Sequence, residues 1–221
     1  MKSETFFATW QELHGGVELS PIVRAWLKIS RPIAQALWMV RVNASTVTVL
    51  GVVAAVFTWH TSSHLYAIGL LALSLLCDGL DGSLAILWGR SSVFGGVLDS
   101  VADRLGEFFW ALTFYALGAT WWIVAIAWLA AFVQEYVRAR LASLDTPEIT
   151  HVSICERPVR AAFLSLALAI THWHHDYVEK VAIFWFTFQL VACATVLMEA
   201  FTRLRTVNSV DDELGADSNE G

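Results

Sequence analysis

Charge is scarce in this chain. Only 15% of its 221 residues are charged, 57% are hydrophobic, and the mean hydropathy is +0.57. A soluble globular domain carries about 25% charged residues. That deficit, with 11 Trp and 13 Phe, excludes an ordinary water-soluble domain and points to an integral membrane protein. Cysteine is also sparse. Cys77, Cys155 and Cys193 lie far apart, no CxxC occurs, and two of the three sit in apolar runs. Reduced, buried thiols are expected rather than a disulfide framework. The N-terminal stretch MKSETFFATWQELHGG lacks a long apolar core, so no cleavable signal peptide is expected. Neither an internal repeat nor a second domain is visible. The net charge of -6 owes part of its size to the terminal run DDELGADSNEG, read as a disordered acidic tail over 206–221.

What is abundant is apolar sequence in lengths that suit a bilayer. A spanning helix needs roughly 20 apolar residues. Six candidates follow one another at 44–60, 65–88, 93–117, 120–142, 158–173 and 181–201. Connections such as 61–64 and 118–119 are so short that neighbouring helices must pack antiparallel. The fold expected is all-α, one six-span domain over 20–205 behind an N-terminal segment, 1–19. Cations are missing from one side of this layout. Arg24, Lys28, Arg31 and Arg41 precede the first span, Arg90 and Arg104 flank the second turn, and Arg138, Arg140, Arg157 and Arg160 surround the fourth-to-fifth loop. Arg203 and Arg205 end the last span, and only Lys180 falls opposite. The asymmetry puts the basic side and both termini in the cytoplasm of a multi-pass protein of the cell membrane.

Ahead of the first span, SPIVRAWLKISRPIAQALWMV opens with Ser20 and Pro21, a good helix start. Arg24, Lys28 and Arg31 repeat at i, i+4 and i+7, while Ile22, Trp26, Ile29 and Ile33 fall largely elsewhere on the wheel. An amphipathic helix lying on the cytoplasmic leaflet is expected, with a helix packed on the bundle as the alternative.

The chemistry is concentrated in CDGLDGSLAILWGRSSVFGGVLDSVADR, residues 77–104, which holds four aspartates. Asp78 and Asp81 are three apart, Asp99 and Asp103 four apart, so each pair shares a helix face. Two antiparallel helices could turn all four carboxylates into one space. Each buried charge costs several kcal/mol unless paired, and four together repel. A bound divalent cation answers both problems, and oxygen-only ligands favour a hard ion, Mg²⁺ or Mn²⁺. Gly79, Gly82, Gly95 and Gly96 sit beside these acids and permit close approach of a helix or a ligand. Intramembrane acids also occur in ion or proton transporters, but a pathway would spread them through the bilayer depth. Here they gather at the cytoplasmic ends of two helices.

Asp78, Asp81, Gly82, Ala85, Gly95, Asp99 and Asp103 match, at the right spacing, the signature of the CDP-alcohol phosphotransferases. That signature runs Asp, two residues, Asp-Gly, two residues, Ala-Arg, eight residues, Gly, three residues, Asp, three residues, Asp. Seven of its eight positions recur, and the resemblance extends over most of 20–205. It implies transfer of a phosphatidyl group from CDP-diacylglycerol to an alcohol, with release of CMP. It further implies metal on Asp78, Asp81, Asp99 and Asp103, Asp103 as general base, and a homodimer. Gly82 and Ala85 would leave room for the cytidine, and Asn43 and Thr46 in RVNASTVT resemble the family's donor-touching Asn-x-x-Thr, with helix capping as their ordinary alternative. The family's arginine is Ile86 here. Arg90, one turn on, is the candidate substitute, and a catalytically impaired lipid-binding member is the alternative this departure raises. An arginine restored at 86 would then raise turnover.

A second cluster reads QEYVRARLASLDTPEITHVSICERPVRAAF. Arginines at an interface are commonly anchors, yet four bracketing one loop suit a phosphate. YVRAR and ERPVR resemble segments of the actinobacterial phosphatidylinositol phosphate synthases. That resemblance implies an inositol phosphate acceptor held by Arg138, Arg157, Arg160 and Arg203. Glycerol 3-phosphate and other alcohols are the alternatives. No nucleic-acid partner is expected. Glu107 is placed to extend the polar cleft or pair with Arg104, and Glu135 to pair with Arg138. Trp121 and Trp122 suit an aromatic belt. His172, His174 and His175 in THWHHDYVEK read as a solvated cluster on the other side.

Overall fold

The structure, a computed structural model, describes residues 3–13, 21–89, 92–143 and 153–217. Every regular element among them is an α-helix: α1 (Ser3–Leu13), α2 (Pro21–Met39), α3 (Ala44–His60), α4 (Ala67–Trp88), α5 (Val93–Ala116), α6 (Trp121–Ala142), α7 (Arg157–Ile170) and α8 (Tyr177–Asp217). The chain divides after Thr113 into two compact units.

In the first unit α4 is the central element, contacted by α1, α2 and α3. Small residues make these contacts close. Gly51 of α3 lies against Cys77 and Ser74 of α4, where an added Cβ would come within 3.1 Å of the Cys77 Cβ. The Trp26 indole of α2 lies on Gly79, where a Cβ would stand 2.3 Å from the ring. Ser30 and Ser83 hydroxyls meet at 3.0 Å across the same pair. A core of Ala34, Val47, Cys77, Leu80 and Leu84 fills the centre. Phe6, Leu27 and Ile86 form a second apolar cluster where α1 seats. Helix α2 thus buries Leu27, Ser30 and Ala34, while Arg24 and Lys28 stay exposed. It meets α3 at 113° across a short turn.

In the second unit α8 carries α6 and α7. Phe114 and Trp185 stack with centroids 4.9 Å apart. Gly118, at φ 98°, turns α5 into α6 beneath the His175 ring. The amide of Thr120 donates to Glu179 at 2.7 Å. A polar spine runs through the apolar packing: Gln134, Gln189 and Arg160 are all buried.

Helices α4, α6 and the Tyr177–Arg205 part of α8 are long and apolar enough to cross a membrane, and α2 with α3 makes a fourth if the bent pair counts as one broken span. Helices occupy all six expected stretches, but three fall short individually. α3 has 17 residues and α7 has 14; at 1.5 Å per residue, 14 residues reach about 21 Å against a hydrocarbon core of about 30 Å. α5 carries Asp99, Asp103, Arg104 and Glu107 in its first fifteen residues. Helix α8 continues past the sixth expected span into the stretch read as a tail, and residues 218–221 lie outside the described residues. Large apolar side chains such as Leu50, Val53 and Phe57 of α3 face outward, as lipid contact allows and water does not.

Candidate functional site

The site lies in the first unit, where the last turns of α4 and the first turns of α5 carry the aspartates. α4 ends because Gly89 takes a left-handed φ of 60° and its amide closes on Ala85 and Ile86. α5 restarts at Ser92, whose hydroxyl accepts from the Gly95 amide at 3.0 Å. The i, i+4 spacing of Asp99 and Asp103 puts both on one face of α5. Asp78 of α4 joins them: one oxygen from each of Asp78, Asp99 and Asp103 lies within 4.8 Å of the others. Three carboxylates held this close repel strongly. Their oxygen-only donor set fits a hard divalent cation, Mg²⁺ or Mn²⁺, better than a softer one.

Asp81 has a different environment. Only 6% exposed, it accepts from the Thr48 hydroxyl at 2.6 Å and from the Gly82 amide at 2.7 Å. It stands outside the three-carboxylate group but lines the adjoining cleft. That cleft encloses about 680 Å³, and its walls include Asn43, Thr48, Asp81, Gly82, Ala85 and Asp99. Gly95 lines it as well. Of the metal and donor residues expected from sequence, Asn43, Asp81, Gly82, Ala85, Gly95 and Asp99 line this cleft, and two donor residues are not among its described lining. Thr46 is exposed and is not among the lining residues. Arg90 lies outside the described residues. Ile86 is buried with Phe6 and Leu27, away from the cleft. Asn43 begins α3 without a side-chain capping bond.

Thr48 was not anticipated. Its signal was present: four residues after Ala44, it shares a helix face with a residue that also reaches the cleft. A hydrogen bond to a charged carboxylate contributes about 1.5–3 kcal/mol, so Thr48→Val should weaken whatever Asp81 does about tenfold or more, while Thr48→Ser restores it. Divalent-ion affinity and turnover of the two variants check this. Equal values for valine and threonine would rule the contact out as functional.

Beside Asp103, Arg104 reaches Asp103 at 3.8 Å and Glu107 at 3.4 Å, and Glu107 is buried. The positive charge offsets part of the local excess of carboxylates.

The arginine cluster belongs to the second unit. Arg138 of α6 pairs with Glu156 at 2.9 Å and stands 3.9 Å from Glu135. Arg160 of α7, 3% exposed, donates to Glu135 at 3.0 Å and through Nε to Gln189 Oε1 and the Cys155 carbonyl, each at 3.0 Å. Gln189 in turn donates to Gln134 at 2.9 Å. Arg160 thus ties α6, α7 and α8 together. Arg157 opens α7, with Pro158 after it, and Arg203 pairs with Glu199 one turn back. Of the histidines, His172 contacts the Leu168 carbonyl at 3.1 Å and His174 packs edge-on to Tyr177. Among the described residues no histidine belongs to a group able to hold a metal.

A family profile described as CDP-alcohol phosphatidyltransferase matches residues 33–202. An archaetidylinositol phosphate synthase of Aeropyrum pernix is 34% identical over 118 residues, 53% of this chain and 60% of that protein. Phosphatidylinositol phosphate synthases of Cutibacterium acnes and Mycolicibacterium smegmatis are 32% and 35% identical, over 66% and 52% of this chain. The chain spans 75% and 57% of their respective lengths. Among solved structures, the Mycobacterium tuberculosis phosphatidylinositol phosphate synthase in complex with manganese and citrate is similar at a TM-score of 0.64 and 24% identity, over 78% of this chain and 89% of that one. The same protein with CDP-DAG bound gives a TM-score of 0.57. At that identity the likeness establishes the fold.

Proposed function

Since the chain belongs to the CDP-alcohol phosphatidyltransferase family, we propose that it transfers a phosphatidyl group from CDP-diacylglycerol to a phosphorylated polyol, inositol phosphate first among them, and releases CMP. The observation that carries this reading is the group of Asp78, Asp99 and Asp103 within 4.8 Å of one another, beside a cleft large enough for a nucleotide. A divalent ion on these three aspartates, with Asp81 adjoining, would supply charge neutralisation at the diphosphate and polarise the phosphorus under attack. The chain's own groups do the rest. Asp103 takes the proton of the acceptor hydroxyl; that oxygen bonds to the phosphatidyl phosphorus as the bond to the CMP oxygen breaks, and CMP leaves with the electron pair. Gly82, Ala85 and Gly95 leave space for the cytidine end, with Asn43 beside it. Thr46 and Arg90 complete the proposed donor set.

Arg138, Arg157 and Arg203 are proposed to hold the acceptor phosphate. Arg160, expected in the same set, supports it from within the packing: 3% exposed, it holds Glu135, whose other oxygen faces Arg138. The archaeal and actinobacterial relatives are inositol phosphate lipid synthases by name, which supports the inositol phosphate choice. Six spans, α2 on the cytoplasmic leaflet, cytoplasmic termini in the cell membrane and a homodimer belong to the same proposal. They rest on the one-sided cations, the 113° turn between α2 and α3 and the family resemblance.

The test is CMP release by the purified protein with Mg²⁺ and CDP-diacylglycerol, presenting inositol phosphate, glycerol 3-phosphate, serine and inositol one at a time. Release with inositol phosphate alone is expected. Release with a different single acceptor would correct the product, and none with any would sink the transfer. Ile86 gives a further check. Arginine there would place a guanidinium in the Phe6–Leu27 cluster, and an uncompensated buried charge costs several kcal/mol. Ile86→Arg should therefore lower thermal stability without raising turnover; a rise in turnover would show that the apolar residue impairs the site.

A further inference from the structure

The turn between α2 and α3 carries a residue that its backbone disfavours. Arg41 has a φ of 61°, the single positive φ at a non-glycine among the described residues. The turn is a Schellman closure of α2: the Val42 amide donates to the Leu37 carbonyl and the Arg41 amide to the Trp38 carbonyl, both at 3.0 Å. Leu37 and Val42, the apolar pair that accompanies this motif, both pack on the Ala34–Leu84 core. Trp88 Nε1 donates to the Val42 carbonyl at 3.1 Å and ties the turn to the end of α4. Backbone bonds and apolar contacts therefore hold the turn, and the position Arg41 occupies is the one glycine fills most readily. The turn has no need of an arginine.

What the side chain adds is charge in a particular place. Arg41 lines the 680 Å³ cleft and is the sole cation among its described lining residues, in company with the carboxylates Asp81 and Asp99. Its side chain is exposed, so an incoming ligand can reach it. Ile86 supplies no charge there, buried as it is with Phe6 and Leu27. A cleft lined by carboxylates and one guanidinium suits a ligand that carries phosphate: a divalent ion held by the acids would neutralise it, and the guanidinium would face it directly. A guanidinium fork matches two phosphate oxygens at once, which a lysine cannot do. Resting on the donor reading above, we propose that Arg41 binds a phosphate of the nucleotide donor and sets donor affinity rather than the rate of the chemical step.

The turn's own geometry provides the test. Arg41→Gly removes the guanidinium and suits the left-handed backbone, so its melting temperature should equal or exceed that of the wild type. The full chain in neutral detergent with Mg²⁺ would be titrated with CDP, and the KM for CDP-diacylglycerol measured in parallel. The CDP dissociation constant and the donor KM should both rise about tenfold or more, the size of one charge-assisted contact. Turnover at saturating donor should be retained, and Arg41→Lys should fall between. CDP bound equally by Arg41→Gly and wild type would overturn the proposal. So would a loss confined to binding of anionic vesicles, which would make Arg41 a headgroup anchor. A wild type that binds CDP, more weakly in the glycine variant, yet releases no CMP would sink the transfer and leave this assignment standing. A wild type that binds no CDP would remove both.

Discussion

Replacing Asp103 by asparagine is expected to lower CMP release by a factor on the order of 10³, the contribution of a positioned general base. The substitution keeps the side chain's shape and removes both the proposed base and one oxygen anion from the group formed with Asp78 and Asp99. Its stability signature has an unusual sign. Without divalent ions, Asp103→Asn should melt at or above the wild type, because three mutually repelling carboxylates become two. With saturating Mg²⁺ the wild type should gain more, since an ion that binds only the folded state stabilises in proportion to the logarithm of its saturation. Melting curves with and without Mg²⁺, together with Mn²⁺ affinity by electron paramagnetic resonance, separate a lost ligand from a lost base. Unchanged Mn²⁺ affinity with abolished turnover would make Asp103 a base that does not ligate. Unchanged turnover would take it out of the mechanism altogether.

The largest structural effect is expected at Arg160. Its guanidinium, 3% exposed, donates to groups from α6, from α8 and from the chain entering α7. Truncation to alanine leaves Glu135, Gln189 and the Cys155 carbonyl short of a donor inside the helix packing, and breaking a buried ion pair from one side costs about 3–5 kcal/mol. Thermal or denaturant unfolding in detergent should show a loss of that order for Arg160→Ala. Replacing both partners with methionine, Arg160→Met with Glu135→Met, should recover much of it, because no charge is left buried alone. Exposed Arg140, by contrast, should tolerate alanine with little change in stability. If Arg160→Ala proves as stable as the wild type, the cross-brace contributes nothing, and the residue is free to be assigned to a ligand.

These two residues also mark how far the sequence can be read. Asp99 and Asp103 were legible as a pair, because i, i+4 spacing on a helix is a local property. Asp78 could be joined to them because WGRSS, between the two pairs, reads as a reversing turn. Asp81 was legible as a candidate metal ligand, but neither its place outside the Asp78–Asp99–Asp103 group nor its bond from Thr48, a contact between residues 33 apart, could be read. Arg160 was legible as a cation beside a loop. Its burial was not, since that depends on Gln189 and Glu135 arriving from two other helices. Ile86 was legible as a departure from the family signature. Only the seating of Phe6 on it explains why a charge is unwelcome there.

Composition and periodicity by themselves determined that the chain is helical and belongs in a membrane, and residue spacing determined that two carboxylate pairs each share a helix face within one short segment. Both are properties of single helices, decided by hydropathy and by 3.6 residues per turn. Which carboxylates actually meet, which of them is held back by a hydroxyl and which arginines are engaged within the packing were decided only by tertiary structure. So was the presence of the Arg41 guanidinium among the residues lining the cleft. Each depends on helices meeting at contacts a few ångströms across, and a hydrogen bond tolerates errors of only a few tenths of an ångström. Sequence spacing cannot resolve such distances between helices.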